Sequence, residues 1–211
     1  MSGEKEAAAA LAHEVKNPLE LIRSNLDLIS AALKGKEEER HLQLIYRELD
    51  RINALLSGFT DKREECCIIY LEDLLCDVID EYHVTGGKRV EFIIETTGDE
   101  VCVVAGYSKL CILFFNLLKN AVEAVEDKGS ILTSIEKRGN TALVSIADNG
   151  RGLDESIAAV IGRPFVTSKA DGMGLGLAIC KKIAAEYKGN LTLENRAEGG
   201  CVATVTLPAY K

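Results

Sequence analysis

The hydrophobic pattern of this chain changes period once, across the charged run Asp61-Lys62-Arg63-Glu64-Glu65. Upstream of it, Leu11, Val15, Leu19, Ile22, Leu26, Ile29 and Leu33 recur at steps of three or four. Lys34-Gly35-Lys36 interrupts that stripe, and Leu42, Ile45, Leu49, Ile52, Leu55, Leu56 and Phe59 begin another. Two amphipathic helices joined by a short polar turn predict an antiparallel hairpin. One hairpin offers too little partner surface to cover both stripes. They can be covered by a second copy, giving a dimeric four-helix bundle, or by the rest of the same chain; pairing into a homodimer is the simpler expectation. Downstream, β-rich runs at 66–70, 90–95, 101–104, 130–136, 141–147, 190–194 and 201–207 alternate with helical stretches at 71–82, 108–126 and 175–187. That alternation predicts an α/β sandwich with helices on one face of a mixed sheet. The expected fold class is therefore α+β, with a helical hairpin over residues 1–64 and a sandwich over 65–211.

The 211 residues, 47% hydrophobic and 27% charged, have an ordinary globular balance and suffice for one large domain or two small ones. A formal net charge of −8 disfavours a nucleic-acid partner held by broad phosphate neutralisation. The seven cysteines, at 66, 67, 76, 102, 111, 180 and 201, fall mostly in apolar runs and form no Cys-x-x-Cys pair. They read as free thiols packed in a core, in a reducing cytosol, and not as a zinc site. No apolar run reaches the roughly 20 residues a membrane helix needs, so no membrane contact is expected from this segment itself. The expectation is a cytoplasmic chain, or the cytosolic portion of a longer, membrane-anchored protein.

His13 lies two residues after Leu11 and two before Val15, which places it about 160–200° from the apolar stripe at 100° per residue. An outward imidazole is open to chemistry. Glu14 stands beside it and can hold one ring nitrogen, fixing the tautomer and leaving the other nitrogen as nucleophile. Asn17 is one turn further on the same face, and Pro18 removes a backbone donor, loosening the helix below the histidine. Taken alone, an exposed histidine on a helix is usually just a surface residue.

Four later segments carry further chemistry. In Asn116-Leu117-Leu118-Lys119-Asn120-Ala121, the two carboxamides are spaced i, i+4 with Lys119 nearby. An amide oxygen such as that of Asn120 suits Mg²⁺, although two amides on a solvated helix face is the plainer reading. Asp148-Asn149-Gly150-Arg151-Gly152 ends a β run. There a carboxylate can accept from an amino group such as adenine N6, while Gly150 and Gly152 let a flat base approach the backbone. Pro164-Phe165-Val166-Thr167-Ser168-Lys169 lies within 150–172, a stretch with no sustained period. Gly172-Met173-Gly174-Leu175-Gly176-Leu177 opens a helix whose N-terminal N–H groups favour phosphate. Its spacing is neither a dinucleotide fingerprint nor a P-loop.

The run Ala12-His13-Glu14-Val15-Lys16-Asn17-Pro18-Leu19 resembles the H-box of sensor histidine kinases, and the four later segments, which include likenesses to the N, G1 and F boxes, stand in the order of that family's ATP-binding domain. The resemblance covers nearly the whole chain. It implies a dimerisation and histidine phosphotransfer hairpin followed by a Bergerat-type ATP-binding domain. It further implies Mg²⁺ and ATP as cofactors, autophosphorylation on His13, transfer to an aspartate of a response regulator receiver domain, and phosphatase activity in many members. Asn116, Lys119, Asn120, Asp148, Gly150, Gly152, Lys169, Gly172, Gly174, Gly176 and Leu177 would hold the nucleotide, with Asn120 on the metal. Gly106 stands where the family commonly has an aspartate, with Ser108 as a candidate replacement cap, and Gly162 replaces the first phenylalanine of the F box. Three other readings remain: a gyrase-like or chaperone-like ATPase, a serine kinase with the same nucleotide fold, and a non-catalytic nucleotide-binding scaffold. The ATPases place a glutamate, as base for water, where this chain has Asn116.

Overall fold

The computed structural model describes residues 65–84, 90–98, 100–126, 129–153 and 176–211, together with Val15, Leu19, Ile22, Leu26 and Ile45, all five helical. The chain divides into two compact units, Met1–Arg63 and Glu64–Lys211.

In the second unit the elements run β1 (Cys67–Tyr70), α1 (Leu71–Val84), β2 (Glu91–Thr97), β3 (Cys102–Ala105), α2 (Tyr107–Ala124), β4 (Ser130–Arg138), β5 (Thr141–Asp148), α3 (Gly176–Glu186), β6 (Asn190–Asn195) and β7 (Cys201–Pro208). Every predicted strand and helix of this unit is present, with ends within two residues of the expected ones. β1 and β3 form a small antiparallel sheet, and the other strands form a mixed sheet in the order β2-β4-β5-β7-β6. Only β2 and β4 run parallel, and α2 lies in the crossover that such a pair requires.

The β4–β5 hairpin shows how local sequence sets this sheet. Arg138 pairs with Thr141 across a two-residue turn, and Gly139 takes φ +60° at its first position, as a type II′ turn requires. From there the pleat alternates. Ile131, Thr133 and Ile135 face inward from β4, Ala142, Val144, Ile146 and Asp148 from β5, and Cys201, Ala203, Val205 and Leu207 from β7.

The helices cover that face. α2 buries Leu110, Leu113, Phe114, Leu117, Leu118, Ala121 and Val122, while α3 buries Ile179, Cys180, Ile183 and Ala184. α1 adds Leu71, Leu74, Leu75, Val78 and Ile79. Each fully buried leucine or phenylalanine side chain contributes roughly 1.5–3 kcal/mol, so truncating Phe114 or Leu118 would cost several kcal/mol. Among the described residues, no helix is long and apolar enough to cross a membrane.

One expectation fails here. The cysteines are not uniformly core residues: Cys180 and Cys201 are buried, but Cys66, Cys67 and Cys76 are exposed. Cys66-Cys67 lies in an apolar run, but of the four residues of β1 only Ile69 is buried, so burial does not follow from composition. Gly106 occupies the N-cap of α2, and its N–H donates to Tyr187 Oη at 2.9 Å; Ser108 lies within the first turn of the helix.

Candidate functional site

One face of α2 organises the described part of the site. Asn116, Asn120 and Ala124 follow one another at one-turn spacing, and the span from the first to the third is about 12 Å. At the near end Asn116 is buried (7% exposed), and its Nδ2 donates to the Ile112 carbonyl at 2.8 Å. This overturns the reading of Asn116 as an amide on a solvated face. Its Oδ1 is turned towards the first residue of α3, where a β-carbon on Gly176 would come within 3.1 Å of it. Gly176 and Leu177 thus open α3 beside the amide, as the glycine motif predicts. At the far end the Ala124 carbonyl accepts from the Arg151 N–H at 3.2 Å, and a β-carbon on Gly150 would lie 2.3 Å from that oxygen. Glycine at 150 is what permits the loop after β5 to pass the end of α2.

Asp148, the last residue of β5, is 4% exposed. Its Oδ1 accepts from the Gly150 N–H at 2.9 Å and from the Cys201 N–H at 3.2 Å. Oδ2 receives no hydrogen bond among the described residues and is not sealed in the core, so it is open to an external donor. The Asp148 carbonyl is also held, by Arg196 Nη1 at 3.0 Å. The neighbouring Cys201 thiol is pushed up to about 11, first by burial and then by the Asp148 charge. Asn149 Oδ1 accepts the Ser130 N–H at 3.0 Å, tying the same loop to the start of β4.

Lys119 and Asn120 are half-buried on α2. Lys119 Nζ lies 3.7 Å from Glu123 Oε1, a partly exposed i, i+4 pair of little stabilising value that leaves the amine able to turn towards an anion. Gly152 takes φ +74°. The fold thus brings Asn116 to Gly176 and Gly150 to the far end of the same helix. His13, Glu14, Asn17, Lys169, Gly172 and Gly174 lie outside the described residues. A cleft of about 510 Å³ lined by Ile68, Tyr70, Glu100, Cys102, Tyr210 and Lys211 shares no residue with these segments.

Sequence reading missed Asn195, Arg196 and Gly200. A β-carbon on Gly200 (φ +84°) would meet the Asp148 carbonyl at 2.0 Å. The only signal available was Glu198-Gly199-Gly200, which marks a turn but not what the turn touches.

Comparison with known proteins agrees with this geometry. Residues 106–211 match the model of the histidine kinase-, DNA gyrase B- and HSP90-like ATPases, and residues 4–62 match the His Kinase A (phospho-acceptor) domain. Sporulation kinase D of Bacillus subtilis is 30% identical over 95% of this chain and 41% of its own length. The chain spans under half the length of the five sporulation kinases it matches. The nucleotide-free catalytic domain of the histidine kinase ThkA superposes with a TM-score of 0.61 at 31% identity, covering 68% of this chain and 95% of that one. ThkA in complex with its response regulator protein TrrA superposes with a TM-score of 0.62 at 27% identity, over 97% of this chain and 61% of that one. The chain belongs to the histidine kinase family, with a phospho-acceptor domain preceding a nucleotide-binding domain of the histidine kinase-, gyrase B- and HSP90-like ATPases.

Proposed function

We propose that this chain is the catalytic core of an ATP-dependent protein-histidine kinase that phosphorylates itself on His13 and passes the phosphoryl group to an aspartate of a response regulator. The observation that carries this reading is the α2 face. It joins a buried carboxylate with a spare oxygen, Asp148, to a helix N-terminus set against an amide, Gly176 and Asn116. A carboxylate acceptor suits an exocyclic amine, and a helix N-terminus suits phosphate. The roughly 12 Å between the two ends is on the scale of a nucleoside triphosphate laid along one helix.

The remaining assignments follow the same chemistry. Asn116 and Gly176 form one phosphate-side wall, Lys119 and Lys169 supply positive charge, and Gly172, Gly174, Gly176 and Leu177 present backbone donors. The half-buried Asn120 amide is a fitting hard-oxygen ligand for Mg²⁺, which would neutralise phosphate charge when bound. Glu14 prepares the His13 ring for attack, and Asn17 holds water for dephosphorylation of the docked regulator. Residue 116 is not a carboxylate, which argues against efficient hydrolysis because no base is set there for water.

The two domains divide at residue 64, and the hairpin pairs with a second copy. Val15, Ile22 and Ile45 of the apolar stripes are 37%, 47% and 43% exposed in the single chain, which supports a covering partner. The deciding experiment incubates the chain with Mg²⁺ and ATP labelled at the γ-phosphate. Protein-bound label should be lost in acid and survive alkali, as a phosphoramidate does. Label stable in acid, or release of free phosphate alone, would refute the proposal.

A further inference from the structure

The end of β6 and the turn that follows it hold Asp148 and the loop after it. Asn195 Nδ2 donates to the Leu153 carbonyl at 3.0 Å, and the Leu153 N–H donates to Asn195 Oδ1 at 2.6 Å. One carboxamide therefore satisfies both backbone groups of a residue 42 positions away. Gly152 presses on the same amide: a β-carbon there would sit 2.9 Å from Asn195 Oδ1. Arg196 Nη1 holds the Asp148 carbonyl at 3.0 Å, and the Arg196 N–H donates to the Gly200 carbonyl at 3.0 Å, closing the turn. Asn195 itself is exposed and contributes nothing to the core. Its side-chain hydrogen bonds go to Leu153, where an ordinary surface asparagine would leave them to water.

We propose that Asn195 is a positioning residue for nucleotide recognition, clamping residues 152–153 so that Asp148 and the backbone of 149–152 are ordered before the base arrives. This rests on the reading of Asp148 as the adenine acceptor. Without the clamp, the loop samples other conformations, and their loss on binding subtracts from affinity. A group that orders the binding loop should affect the concentration of nucleotide needed, not the rate of transfer once nucleotide is bound.

The test uses the full chain and compares the parent with Asn195→Ala and Asn195→Asp. ADP and GDP affinities are measured by calorimetry, the thermal midpoint without nucleotide by scanning, and KM and kcat for ATP by transfer of labelled phosphate. Loss of both hydrogen bonds should weaken ADP binding about tenfold, narrow the preference for ADP over GDP, and raise KM by a similar factor with kcat within about twofold. Asn195→Asp keeps the acceptor for the Leu153 N–H and should fall between the other two. It carries the same comparison if the alanine variant does not fold. Affinity, preference and KM within about twofold of the parent in both variants would overturn the clamp while leaving Asp148 untouched. Equal binding of ADP and GDP by the parent would instead overturn the Asp148 reading, and the clamp with it.

Discussion

The carbonyl of Asp148 packs against the α-carbon of Gly200 so closely that a β-carbon on that glycine would lie 2.0 Å from the oxygen. The carboxylate assigned to the nucleotide is thus held from behind by the β6–β7 turn. Gly200 is required twice over, for its φ of +84° and for this approach, whereas Gly199 takes φ +93° with nothing within 4 Å. Gly199→Ala should lose about 1–2 kcal/mol of stability and leave nucleotide affinity unchanged. Gly200→Ala should lose more than that and weaken nucleotide binding at least about tenfold, because Asp148 must move. Denaturant melts with ADP titrations check both. Equal behaviour of the two variants would contradict the backing role.

Asp148→Ala removes an acceptor already buried and half-satisfied. ADP affinity should fall by about 1.5–3 kcal/mol, the range for a hydrogen bond to a charged group, and the preference over GDP should narrow. A variant with the parent's preference would show that another group reads the base.

Thr133 lies on the inward face of β4, fully buried between Ile131 and Ile135, and its Oγ1 has no hydrogen-bond partner among the described residues. An unsatisfied buried hydroxyl destabilises by about 1–3 kcal/mol. Thr133→Val should therefore raise the thermal midpoint, with a gain of about 1 kcal/mol by denaturant melts. A lower midpoint would mean the hydroxyl is bonded to buried water.

Tyr107 donates to Asp77 Oδ2 at 2.6 Å, and this hydrogen bond, followed by burial, raises the phenol above its ordinary value near 10. Since the folded value lies above the unfolded one, the contribution is fully present below pH 10. It is lost as pH rises further, because the unfolded chain releases its proton first. The parent should be more stable than Tyr107→Phe at pH 8, and the difference should shrink between pH 10 and pH 11. A constant difference across that range would contradict the linkage.

Much of this was legible in the sequence, for physical reasons that also mark where legibility ends. Period-two alternation and the Gly139-Asn140 turn define the β4–β5 hairpin, since both are local. The i, i+4 asparagines place two amides on one face of α2, but local spacing does not reveal that Asn116 is buried against Gly176. The clamp of Asn195 on Leu153 and of Arg196 on Asp148 spans more than 40 residues, and neither residue belongs to a pattern that announces a partner. Cys66 and Cys67 look like core residues by composition but are exposed; within β1 only Ile69 is buried. His13, Glu14 and Asn17 fall outside the described residues, and their roles stand on the sequence alone; the matched phospho-acceptor domain spans residues 4–62.

Transfer of phosphate from ATP to His13 is measured most directly by comparing the parent chain with His13→Gln. Both are incubated with γ-labelled ATP and Mg²⁺, and ADP affinity is titrated in parallel. Acid-labile label is expected on the parent and none on the variant, with affinities that agree within about twofold, because His13 is not among the residues assigned to the nucleotide. Label retained on His13→Gln would contradict that transfer.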